Sequence, residues 1–183
     1  MIHENPCTLD ELTWREIEQT ITVNLLPAVN LIHMLLPGMK RRHRGIIVNV
    51  SSATGLHPHP FVAVYGSTKA FLNRFSEALQ LELRGTGVEC QLVYPMFVDT
   101  NLVQQWESMG AYSVASAPVQ RYCRMAVWTI GKAWRTTGYW AHGLQVYGSD
   151  GKQAVISNNF QITGHNRENS TGFPSAAFIG DLS

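Results

Sequence analysis

The chain has 183 residues, 45% of them hydrophobic and 15% charged, with a net charge of +1. That supplies one core of ordinary size and is unlikely material for two, and the near-neutral balance excludes the broad basic surface of a nucleic-acid binder. Three cysteines, Cys7, Cys90 and Cys123, lie far apart without Cys-x-x-Cys spacing, which argues for free thiols rather than a disulfide framework.

The first element is a helix. "TWRE" (Thr13 to Glu16) has capping-box spacing. Trp14, Ile17, Ile21, Asn24, Leu25, Ala28 and Ile32 follow at three- and four-residue steps, predicting a helix with a buried stripe to about Leu36. Asn24 interrupts the stripe with an amide. Pro27 cannot donate to the Val23 carbonyl, so a kink is expected beside it. The basic run "KRRHR" (Lys40 to Arg44) follows the helix, where cations suit the C-terminal dipole. No stretch is read as long enough for a membrane span, and Met1 opens no signal peptide.

"GIIVNVSS" (Gly45 to Ser52) is a short β-branched run. It predicts a strand buried on both faces of a parallel sheet, ending in two serines. Ligands bind at that carboxyl end in open α/β sheets. A loop follows; its "HPH" (His57, His59) has no acidic or cysteine partner at ligand spacing, so no metal is expected. A helix from about Val64 to Arg84 is stopped by "GTG", and "VECQLVYP" (Val88 to Pro95) predicts the next strand. Helix, strand, helix, strand is the pattern of half a doubly wound α/β sheet.

"MFVDTNL" predicts a loop and short helix, Ser116 to Gly131 a helix, and "RTTGYWAH" leads into an expected strand around Gly143 to Tyr147. From Gly148 the chain is rich in Gly, Ser and Asn, which predicts a mostly disordered tail over 148–183. Residues 1–147 are the expected folded unit.

Tyr65 and Lys69 are four residues apart on the second helix and share its face. Ser52 closes the preceding strand thirteen residues before Tyr65, so a crossover can bring all three to one crevice. Together "VNVSS", "YGSTK", "TVNLL" and "YPMFVDT" resemble the short-chain dehydrogenase/reductase family over about residues 13 to 104. "LLPGMKRRHRGIIVNVSS", "YPMFVDTNL" and "RTTGYWAH" are most similar to its hydroxysteroid dehydrogenase and very-long-chain 3-oxoacyl-CoA reductase branch, to about Tyr147.

The resemblance implies the C-terminal part of a Rossmann-type domain. It implies Tyr65 as the general acid in carbonyl reduction, with Lys69 lowering its pKa and holding the cofactor ribose. Ser52 would hydrogen-bond the substrate carbonyl; Ser51 competes for the role, and the spacing favours Ser52. Asn24 would hold a water in a proton relay. Pro95, Val98 and Thr100 would line the nicotinamide and phosphate side. The implied cofactor is NADP or NAD, and the implied substrate a lipid-like ketone or alcohol, a steroid or a 3-oxoacyl-CoA. A homodimer through the two helices, and residence in the endoplasmic reticulum or mitochondrion, come from the resemblance alone.

Two departures stand out. No glycine-rich turn of the dinucleotide fingerprint is present. On the resemblance it would lie upstream of Met1, with the first strands and any membrane-anchoring segment, so the chain reads as cut at both ends. "PMF" stands where many members have "PG". A non-catalytic binding or regulatory protein on the same scaffold is therefore the alternative. With its neighbours absent, the edge of "GIIVNV" is expected to be exposed, and the chain to fold poorly alone or to bind cofactor weakly.

Overall fold

The computed structural model describes residues 6–101, 103–104 and 116–150, the side chains of 147–150 aside. Helix α1 spans Trp14–Arg41. Thr13 caps it: its hydroxyl accepts the Glu16 N–H at 3.3 Å, and Glu16 Oε2 accepts the Thr13 N–H at 2.8 Å. The helix continues through Pro27 and Pro37 and ends a turn later than expected, with Lys40 and Arg41 in its last turn. Each proline leaves one carbonyl without its helical donor, but neither stops the element.

Strand β1 (Gly45–Val50) leads by a short 3-10 turn to helix α2 (Ala63–Glu82), and α2 returns to strand β2 (Val88–Val93). β1 and β2 pair in parallel from Gly45↔Val88 to Val50↔Val93. Gly87 sits at φ 77, where an added Cβ would collide with the His43 carbonyl, so glycine lets the two loops below the sheet touch. Strands β3 (Val98–Asp99) and β4 (Ala117–Pro118) form a separate parallel bridge. Helix α3 (Val119–Trp128), strand β5 (Arg135–Thr136) and helix α4 (Trp140–Asp150) complete the described chain. The main sheet runs β1-β2-β5, all parallel.

Ile32 of α1 and Leu79 and Leu83 of the α2 end pack on Ile47, Val88 and Cys90 of one sheet face. On the other face Gln91 Nε2 donates to the Thr129 carbonyl and hydroxyl, both at 3.1 Å, tying the end of α3 to β2. Helices on both faces make this the expected doubly wound α/β architecture.

Several expectations are corrected. β1 is not buried on both faces: Ile46, Val48 and Val50 are 46%, 36% and 56% exposed, and among the described residues only β2 pairs with it. Trp14 and Ile21, placed in the buried stripe of α1, are exposed because, among the described residues, only α2 and β1 lie against that helix to a substantial extent. α1 is also long and apolar enough to cross a membrane by length and composition, a test that core helices of soluble domains pass too. The sequence reading stopped it at Leu36 and so underestimated its length.

The segment Gly143–Tyr147 is helical, within α4. Leu144 and Val146 suggest strand alternation, but His142 and Val146, four apart, are the buried pair, which is helical spacing. Gly148 to Asp150 continue α4; the rest of the expected tail lies outside the described residues. The helix expected from Ser116 begins at Val119 because Ala117 and Pro118 pair with β3.

Candidate active site

The carboxyl ends of β1 and β2 carry the expected residues. The ladder runs one step past β1, where the Ser51 N–H donates to the Val93 carbonyl at 2.7 Å. Ser51 Oγ then donates to the Lys69 carbonyl at 3.0 Å and is buried. Ser51 is thereby committed to joining strand and helix.

Ser52 is placed differently. Its Oγ accepts from the Thr54 N–H at 3.2 Å and the Thr54 hydroxyl at 2.9 Å, and it is near enough to the Tyr65 phenol to lower its pKa. The turn after it is pressed on α2: a Cβ at Gly55 would come within 2.6 Å of the Ala70 nitrogen and the Lys69 carbonyl carbon. The Ala53 N–H donates to the Pro95 carbonyl at 2.9 Å, joining that turn to the loop leaving β2.

Tyr65 is in the first turn of α2, and Lys69 one turn on has its ammonium 5.6 Å from the Tyr65 ring centroid. Lys69 Nζ donates to the Val50 carbonyl at 3.4 Å. Burial raises the Tyr65 pKa above its ordinary 10.0, and the nearby Ser52 hydroxyl offsets part of that. Burial lowers the Lys69 pKa. The net shift at Tyr65 is upward, loss of solvent being its largest cause.

Asn24 comes to the same region: its Nδ2 donates to Thr68 Oγ1 at 3.1 Å, and Thr68 donates to the Tyr65 carbonyl at 2.7 Å. Sequence reasoning missed Thr68. Its only signal was a position one turn past Tyr65. Pro95 borders the Ser52 turn, Val98 lies in β3, and the Thr100 carbonyl accepts the Gln104 N–H at 3.0 Å. A shallow, open depression of about 20 Å³ beside Tyr65 is lined by Cys7, Leu9, Leu12, Thr20, Phe61 and Val62. No cluster of metal-binding side chains occurs among the described residues.

A phenol and an ammonium side by side at a sheet's carboxyl end are donors suited to a ribose diol and a carbonyl oxygen. They fit the nicotinamide–ribose half of a dinucleotide. Among the described residues no glycine-rich turn joins a strand to a helix to cradle a pyrophosphate.

A parallel α/β sheet with Ser52, Tyr65 and Lys69 gathered at its carboxyl end belongs to the dinucleotide-enzyme class of folds. The family model for short chain dehydrogenase matches residues 2–111, and the chain belongs to that family. It is 34% identical over 140 residues to human inactive hydroxysteroid dehydrogenase-like protein 1, covering 76% of this chain and 42% of that protein. It is 35% identical over 128 residues to rat very-long-chain 3-oxoacyl-CoA reductase, covering 70% of this chain and 40% of that one. The chain thus spans about two fifths of the length of these relatives. Among solved structures it is similar to a 7beta-hydroxysteroid dehydrogenase, with a TM-score of 0.69 and 21% identity over 85% of this chain and 61% of that one. It is also similar to 3-ketoacyl-(acyl-carrier-protein) reductase from Brucella melitensis complexed with NADH, with a TM-score of 0.63 and 18% identity over 74% and 60% of the two chains. At these identities the structures establish the fold.

Proposed function

We propose that the intact protein interconverts a ketone and an alcohol on a lipid-like substrate, a steroid or a 3-oxoacyl thioester, using NADP or NAD. The observation that carries this reading is the convergence of Ser52, Tyr65 and Lys69 at the carboxyl end of β1, with the Lys69 ammonium 5.6 Å from the Tyr65 ring centroid and Ser52 holding the Tyr65 pKa down. In carbonyl reduction Tyr65 donates its proton to the carbonyl oxygen while Ser52 hydrogen-bonds the same oxygen. The bound nicotinamide supplies the hydride. Lys69 holds the ribose hydroxyls, Pro95, Val98 and Thr100 border the nicotinamide, and Asn24 orders the proton path behind Thr68. The proposed unit that carries these groups is residues 1–147, with the last turn of α4 running on to Asp150.

The test is Tyr65→Phe in the intact protein. Turnover of a 3-oxoacyl or steroid ketone is expected to fall about 10²- to 10⁴-fold, with the circular dichroism spectrum unchanged. Unchanged turnover would remove Tyr65 from the chemistry.

The name of the human relative favours a second reading: a non-catalytic binding protein on this scaffold. A specific stoichiometric protein partner, with no reductase activity in any assembly, would select it. Exposed Leu26 and Met34 on α1 fit a homodimer contact between helices, which sedimentation would test. The reading also places the intact protein at the endoplasmic reticulum or mitochondrion, to be checked by imaging.

A further inference from the structure

His142 of α4 is 1% exposed. Its ring lies edge-on to Tyr139, with centroids 5.2 Å apart, and 5.7 Å from Tyr122. Both ring nitrogens reach the loop that leaves β2. Nδ1 accepts the Met96 N–H at 3.4 Å, and Nε2 lies 3.0 Å from the Phe97 carbonyl oxygen. One tautomer satisfies both bonds: the neutral imidazole with its proton on Nε2.

The bland alternative is a core histidine that has found two partners. Three features argue for more. The partners are consecutive residues in one loop, and Pro95 has no N–H to give. The Phe97 carbonyl also accepts the Ala117 N–H at 2.9 Å, so His142 closes a junction of α4, the loop and the β3–β4 bridge. On the other side the Pro95 carbonyl is held by Ala53, next to Ser52. The loop is thus fixed at one end by the turn that carries Ser52 and at the other by His142.

The glycine before α4 allows the ring cluster to close. Gly138 is at φ 75, and a Cβ there would lie 2.8 Å from the Tyr122 hydroxyl oxygen. Thr137, buried, donates to the Tyr139 carbonyl at 2.8 Å and fixes the turn into α4. Burial lowers the His142 pKa, which favours the neutral form that the two bonds need.

We infer that His142 is a positioning residue: it clamps the Met96–Phe97 backbone and so sets the distance between the nicotinamide-side loop and the Ser52–Tyr65 pair. This inference rests on the cofactor reading of Pro95 and Val98 given above.

Two measurements on the intact protein test it. The first is hydrogen exchange at Met96 and Ala117 without ligand. The second is NADPH affinity by energy transfer from tryptophan. His142→Phe removes both bonds, His142→Gln can keep the Phe97 bond, and His142→Asn can keep the Met96 bond. The expected result is faster exchange at Met96 and Ala117 in H142F, with α2 protection unchanged, and NADPH affinity weakened roughly tenfold or more. H142Q and H142N should lie between, and they decide the matter if H142F does not fold. A loosened loop with NADPH affinity unchanged across the variants would overturn the inference. Wild-type protein that keeps Met96 protected yet binds neither NADPH nor NADH would overturn the cofactor reading and the inference with it. Those two failures are distinguished by the wild-type titration alone.

Discussion

The Lys69 ammonium lies over the Tyr65 ring, 5.6 Å from its centroid. Its hydrogen bond goes to the Val50 carbonyl at 3.4 Å. Burial lowers the Lys69 pKa below 10.5, so at neutral pH the folded protein carries a cation that the unfolded chain solvates better. A lysine with a depressed pKa costs stability below its folded value, and the cost fades as pH rises toward 10.5. Lys69→Met is therefore expected to raise the urea midpoint at pH 7, with the gain shrinking as pH approaches 10.5. The same variant should lose NADPH binding. A midpoint lowered at pH 7 would show that Lys69 is net stabilising without ligand.

Gly55 sets the position of Ser52 by letting its turn touch α2. A Cβ there would meet the Ala70 nitrogen and Lys69 carbonyl carbon at 2.6 Å and Asn73 Nδ2 at 2.8 Å. The first two are backbone and cannot swing away. Gly55→Ala should push the turn off the helix, destabilise the protein by about 1–3 kcal/mol, and reduce turnover beyond that loss by lengthening the Ser52–Tyr65 contact. Urea unfolding and steady-state kinetics on the same sample check it. Wild-type stability would show that the turn moves at no cost.

What the sequence made legible were the local relations. Tyr65 and Lys69 share a helix face because four residues is about one turn, and Ser52 is where an apolar run ends. The order of helices and strands through Val93 followed from the same periodicities. The contacts that hold the site were not legible. Asn24 meets Thr68 across 44 residues and His142 meets Met96 across 46, and no spacing within a helix or strand encodes either. The segment Gly143–Tyr147 was expected as a strand and is helical, because five residues are too short a window to separate the two periods. The unpaired edge of β1 was expected from the missing neighbours, but the exposure of one face at Ile46, Val48 and Val50 was not visible in their composition, since an apolar β-branched run reads alike whether one or both faces are covered.

The three thiols should react in order of exposure. Cys123 is exposed on α3, Cys7 is half-buried, and Cys90 is buried in the core. Burial pushes the Cys90 thiol up to about 11, and the Asn49 amide lies against its sulfur at 3.8 Å. Cys7 is raised by burial and then by the charges of Glu11 and Glu16. A disulfide reagent at pH 8 should modify Cys123 first, Cys7 more slowly, and Cys90 only after denaturant is added. Rapid reaction of Cys90 in native protein would mean that the β1–β2 core opens readily.

Acid should weaken the fold through His142. Its pKa is lowered from 6.5 by burial, with the Phe97 carbonyl acting in the opposite direction. The unfolded state therefore binds the proton first as pH falls below 6.5. Stability linked to this group is complete above that value and declines through the window down to the folded pKa. Protonation also places an N–H at Nδ1 against the Met96 N–H, so the charged ring keeps only one of its two bonds. Thermal melting between pH 7.5 and pH 5 should fall less steeply in His142→Gln than in wild type. Because the other titrating groups, His59 included, are common to both proteins, the difference in slope isolates His142. Parallel curves would mean that the ring keeps its ordinary pKa, and that the loop yields to the charged form without loss.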